Sequence, residues 1–164
     1  MKKIALFSFF LMISISATLS QELPNLKHIK LNKNTHYKDI EPVVIKVTNY
    51  LFATPLNDKN DSRREAGQFL MRWMNGTPYN TFLLEENQTR FFDTDAELML
   101  IYMAGLTKFT LEHKTVTIQK EKVLGALQLV LPYLDKQTNK KSWSKELWQL
   151  MDSYQKGRLE EFLK

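Results

Sequence analysis

The sequence predicts an all-α, single-domain bundle of about five helices, built around one central buried helix over about residues 95–112. Three observations predict it. Apolar residues recur at helical spacing in five separate segments. Two segments open with capping-box patterns, Ser62-Arg63-Arg64-Glu65 and Thr94-Asp95-Ala96-Glu97. From Leu98 to Leu106 no residue is charged, and a helix that is apolar on every side belongs in the interior.

The chain of 164 residues opens with Met1-Lys2-Lys3 and a 16-residue apolar stretch, Ile4–Leu19, that contains three serines. A positive start, an apolar run and small residues at Thr18 and Ser20 form the pattern of a secretory signal peptide cut near Ser20. The run falls short of the roughly 20 apolar residues a membrane-spanning helix needs. No later stretch is longer than Leu98–Leu106, so no membrane span is expected after cleavage. The expected compartment is the periplasm, or the exterior. There is no cysteine, which excludes disulfides and thiolate metal sites, and export without disulfides fits a bacterial periplasm. Removing Lys2 and Lys3 lowers the net charge from +5 to +3, too little to imply nucleic acid as a partner.

Residues 21–38 carry no sustained period and read as an N-terminal arm or linker; residues 39–164 read as the helical domain. The first helix starts near Asp39 with Pro42 in its opening turn. Its stripe is Ile40, Val43, Val44, Val47 and Leu51, and Thr54-Pro55 ends it. The second follows Ser62, with Ala66, Phe69, Leu70, Trp73 and Met74 on one face and Asn75-Gly76-Thr77-Pro78 as its stop. Residues 77–93 have no clear period. The third helix runs to about Glu112. The fourth runs from about Thr117 toward Pro132, which should end or kink it. Gly105 and Gly125 each lie ten residues from Thr115, so an antiparallel hairpin places them at one height, where the two helices should cross closely. The fifth helix starts at Ser142, and Gly157 separates it from a last amphipathic turn with Leu159, Phe162 and Leu163. Trp143 and Trp148 are roughly 140° apart around a helix, so one should be core and the other flank.

Motifs of known chemistry are missing. His28, His36 and His113 form no metal-ligand pair, and GxSxG, SxxK, HExxH and glycine-rich phosphate loops do not occur. No catalytic residue, metal site or cofactor is assigned. Glu85, Glu86, Asp93, Asp95 and Glu97 gather before and at the start of the third helix and offer an alternative function, a small carboxylate-dependent hydrolase; capping, dipole compensation and a solvated loop account for them more simply. The better lead is the aromatic set around residues 72–92. Arg72, Trp73, Tyr79 and Arg90 are the expected ligand-binding residues, because bulky rings and a guanidinium on a loop can line a pocket. The competing account is that these rings cover the core.

Two stretches, Arg64-Glu65-Ala66-Gly67-Gln68-Phe69-Leu70-Met71-Arg72-Trp73-Met74-Asn75-Gly76-Thr77-Pro78 and Glu97-Leu98-Met99-Leu100-Ile101-Tyr102-Met103-Ala104-Gly105-Leu106-Thr107-Lys108-Phe109, resemble a group of small exported proteins of unknown function from Gram-negative bacteria. The resemblance implies a periplasmic setting and carries no site. The expected function is therefore that of an exported, non-catalytic helical protein of the bacterial cell envelope that binds a partner protein or a small ligand.

Overall fold

The computed structural model describes residues 23–57, 59–141 and 143–163, so the signal segment expected over 1–20 lies outside the described residues. Among the described residues every regular element is helical. A 3-10 turn, Leu26–His28, precedes α1 (Asn34–Asp39), α2 (Glu41–Ala53), α3 (Asp61–Gly76), α4 (Glu86–Thr89), α5 (Ala96–Glu112), α6 (Gln119–Asp135), α7 (Lys145–Gln155) and α8 (Leu159–Phe162). None of these helices is long and apolar enough to cross a membrane.

The uncharged run from Leu98 to Leu106 has become the centre of the molecule. Leu98, Ile101, Tyr102 and Ala104 are completely buried, and α5 packs against α2, α3 and α6. The tightest partner is α6. A Cβ on Gly105 would lie 2.6 Å from Val130 Cγ2, and one on Gly125 would lie 2.1 Å from the Phe109 ring. Residue 105 thus faces 130 while 109 faces 125, so the helices run antiparallel and cross closely at the paired glycines, where any side chain would hold them apart. Pro132 does not end α6, which continues to Asp135. The bond it deletes would have come to the carbonyl of Gln128, an exposed position where solvent can replace the missing N–H.

The helix starts differ from the capping-box expectation. Asn60, not Ser62, caps α3, accepting from the Arg63 N–H at 2.9 Å. Asp95, not Thr94, caps α5, accepting from the Glu97 N–H at 2.8 Å. With those N–H groups satisfied, Arg63 and Glu97 are free for another task. Arg63 is fully buried, and its Nε donates to Glu97 Oε2. Its Nη1 donates to Leu51 O at 2.7 Å, Thr54 O at 3.2 Å and Thr54 Oγ1 at 2.9 Å. Pro55 stops α2 and orphans its last carbonyls, which carry the negative end of the helix dipole; a cation from α3 completes them. Tyr133 of α6 adds its hydroxyl to Thr54 O at 2.7 Å. One buried polar node thereby ties α2, α3, α5 and α6. Burial raises the Tyr133 phenol above its ordinary pKa, opposed by the nearby Arg63 guanidinium.

The N-terminal arm is docked along its described length. Leu26 is in the core, Tyr37 donates to Leu31 O at 2.9 Å, and Gly76 provides the space the Tyr37 hydroxyl occupies. The expectation of a linker missed α1 and the 3-10 turn because each is too short to establish a period.

Candidate functional site

The four expected binding residues occupy four different settings. Trp73 lies on the inward stripe of α3 and has no exposed surface. Its indole N–H donates to Tyr37 O at 3.0 Å, and its ring meets Phe82 edge-on at 6.1 Å. It is a core residue that holds α1 and the 77–85 segment to α3. Arg72, one position earlier, extends along the surface and donates from Nη2 to Leu26 O at 3.1 Å and Ile29 O at 3.3 Å, over the Phe69 ring. Its donors are engaged in fastening the N-terminal arm. Tyr79 is half exposed beneath Lys38 and lines a cleft of about 410 Å³ with Thr110 and Lys114. Arg90 lines a separate cleft of about 440 Å³. Among the described residues, Arg72, Tyr79 and Arg90 line three separate clefts and Trp73 is buried.

The Arg90 cleft has the better chemistry. Arg90 follows the single turn of α4, and its guanidinium lies 4.9 Å from the centre of the Phe91 ring. Phe91 and Val123, both nearly inaccessible, form an apolar floor, and Phe162 and Leu163 of the C-terminal segment form a wall. Glu85, Asn87 and Gln88 make one rim, Gln119 and Lys120 the other. Gln119 Nε2 donates to Leu83 O at 2.9 Å and so fixes the distance between the rims. No side chain caps α6 at Ile118, and the first turn of that helix carries partial positive charge beside Lys120. Among the described residues Arg90 and Lys120 have no ion-pair partner. A volume of 440 Å³ lies within the range of about 300–1,000 Å³ typical of small-molecule sites. The arrangement suits a small anion with an apolar body.

The carboxylates go separate ways. Asp95 caps α5, Glu97 is paired with Arg63, and Glu85 accepts from Gln88 Nε2 at 3.1 Å, while Glu86 and Asp93 are exposed. Glu85 also bears on the interior. Its charge adds to the effect of burial in holding the Tyr102 phenol well above its ordinary pKa. Tyr102 stacks on Phe92 at 4.8 Å, and its hydroxyl has no hydrogen-bond partner among the described residues.

Sequence reasoning singled out Arg90 without its setting. Gln119, Lys120, Val123 and Phe162 lie 29 to 72 residues further along the chain, and nothing in their local pattern links them to Arg90. No family model, no curated protein and no solved structure matches the chain.

Proposed function

We propose that the protein is a non-catalytic binding protein of the bacterial cell envelope, exported by its N-terminal segment, cut near Ser20, and taking a small amphipathic anion in the Arg90 cleft. One observation carries the site assignment: an arginine without an ion pair among the described residues, lining a cleft floored by Phe91 and Val123. Export rests on the Lys2-Lys3 start, the apolar run and the small residues before Gln21. The hydrolase alternative needs two converging carboxylates, and the five candidates are capping, paired or separately exposed.

A titration of the protein with octanoate and with phenylacetate, followed by backbone amide shifts, tests the site. The expected outcome is movement confined to residues 85–91, 119–123 and 162–163, with binding about tenfold or more weaker in Arg90→Ala, the loss expected for a charge-assisted contact. Unmoved amides at millimolar ligand would reject the cleft. The expected first residue of protein recovered from the periplasmic fraction is Gln21, read by N-terminal mass spectrometry; an intact Met1 would reject cleavage.

A second reading, a partner protein, is favoured by the exposed side chains of Leu83, Leu84 and Ile118. Leu83 and Ile118 flank the Gln119–Leu83 hydrogen bond and form an apolar ridge beside the cleft.

A further inference from the structure

A second groove, which shares Phe162 with the Arg90 cleft, has different chemistry. Its cause is local. Gly157, at φ +68°, ends α7 in the left-handed conformation, and the Arg158 N–H donates to Ser153 O while the Gly157 N–H donates to Tyr154 O, both at 2.9 Å. This paired 6→1 and 5→2 closure is a Schellman motif, which folds the chain back on the helix it ends. Glu161 and Phe162 of α8 thereby come to stand across from α7, enclosing about 650 Å³.

The α7 wall is the face formed by Lys145, Trp148, Gln149 and Asp152, spaced over two helical turns, while Leu147, Leu150 and Met151 of the same helix go to the core. Trp148 is the anomaly on that face. It is 47% exposed and surrounded by polar groups. It is also held in place: Trp143 packs against it with ring centres 4.7 Å apart, and the Lys140 ammonium lies over both rings. An immobilised, accessible indole presents a flat apolar surface without an entropic penalty on binding. Around it stand side chains with planar polar ends, Gln149, Asp152, Arg158 and Glu161, which supply paired donors and acceptors. Ser153 also lines the groove, but it is buried and its Oγ is closed to solvent, so it shapes the floor.

Charge narrows the ligand. Lys145 and Arg158 are balanced by Asp152 and Glu161, and Asp152 is tied to Lys156 at 2.8 Å, so the groove has no net field for a polyanion. An aliphatic ligand would leave the polar planes unmatched, and a free phosphate would leave the indole unused. A pyranose offers both halves: a C–H face for the ring and a rim of neutral hydroxyls for the planar groups. The span from Lys145 to Asp152 is about 10 Å along the helix, room for two linked rings. We propose that the α7–α8 groove is a saccharide-binding site for a neutral oligosaccharide, with Trp148 as the stacking surface and Asp152 and Arg158 as hydrogen-bonding groups.

Titration of the full protein with N-acetylchitotriose and with maltotriose, observed through tryptophan indole and backbone amide resonances, tests the site. At least one saccharide is expected to move the Trp148 indole signal and the amides of residues 145–162, leaving the Trp73 indole in place. Trp148→Ala should weaken binding about tenfold or more and Trp148→Phe less, with circular dichroism of both variants unchanged. The assignment is overturned if neither saccharide moves the Trp148 signal, if Trp148→Ala binds as well as wild type, or if an uncharged heptapeptide moves these resonances where the saccharides do not. The Arg90 cleft is scored independently, because Arg90→Ala should leave saccharide binding intact.

Discussion

Arg63 and Arg90 carry the same charge into opposite surroundings. Arg63 is wholly enclosed, and each of its bonds ends on a group that the fold itself left unsatisfied: the final carbonyls of α2 and the Glu97 carboxylate. Arg90 lies on the surface, rests on Phe91, and has no ion pair among the described residues. The first guanidinium joins α3 to α2 and α5, with Nε and Nη1 engaged inside the protein. The second is the group that the proposed function gives to a ligand. On that proposal the pair separates what holds this molecule together from what it offers to a ligand, and substitutions should divide along the same line.

The largest effect belongs to the buried side. Arg63→Met removes the cation but leaves Glu97 largely enclosed and takes away the partner of the Leu51 carbonyl, and breaking such a pair costs about 3–5 kcal/mol. Urea unfolding should show that loss, and a loss below about 1 kcal/mol would mean the node is incidental. Next comes the helix crossing. Gly125→Ala gains roughly 1 kcal/mol of helix propensity but drives a methyl group to 2.1 Å from Phe109, so overpacking of about 1–3 kcal/mol should win. Gly157→Ala meets no neighbour within 4 Å, and its cost of about 1 kcal/mol should come from the positive φ alone. Thermal midpoints of the two variants distinguish crowding from backbone strain.

Smaller effects come from the phenols. Tyr102 and Tyr133 both have pKa values raised by folding, so the folded state holds their protons more tightly than the unfolded chain. That contribution is intact below the unfolded value of about 10 and is lost as pH rises beyond it. Stability should therefore decline above about pH 10, and Tyr102→Phe should flatten part of the decline. At neutral pH the same substitution should cost little, because the hydroxyl it removes has no partner. Arg90→Ala, on the exposed side, should change stability by no more than about 0.5 kcal/mol.

The sequence made the helical frame legible because a stripe at 3.6-residue spacing survives any detail of packing. The five predicted helices correspond to α2, α3, α5, α6 and α7, and the uncharged run at 98–106 marked the central one. The crossing glycines were legible from their equal distance to Thr115. Short elements were not: α1 and α4 offer too few residues for a period. Trp73 stood in two expectations at once, a core stripe and a binding set, and the stripe prevailed because α3 turns that face inward. Arg63 was hidden inside a capping-box pattern, since charge suggests solvent until orphaned carbonyls are placed beside it. That one of Trp143 and Trp148 would be a flank residue was recognisable, but not which, and the groove at Trp148 depends on the turn at Gly157 and on the return of α8, a tertiary event.

The division between the two arginines is tested most directly by thermal unfolding of wild type and Arg90→Ala, each with and without millimolar octanoate. A ligand that binds only the folded state raises the midpoint. The two proteins should unfold at the same temperature when free, and octanoate should raise the midpoint of wild type alone. An equal rise in both proteins would contradict the assignment of Arg90 as the ligand's anchor.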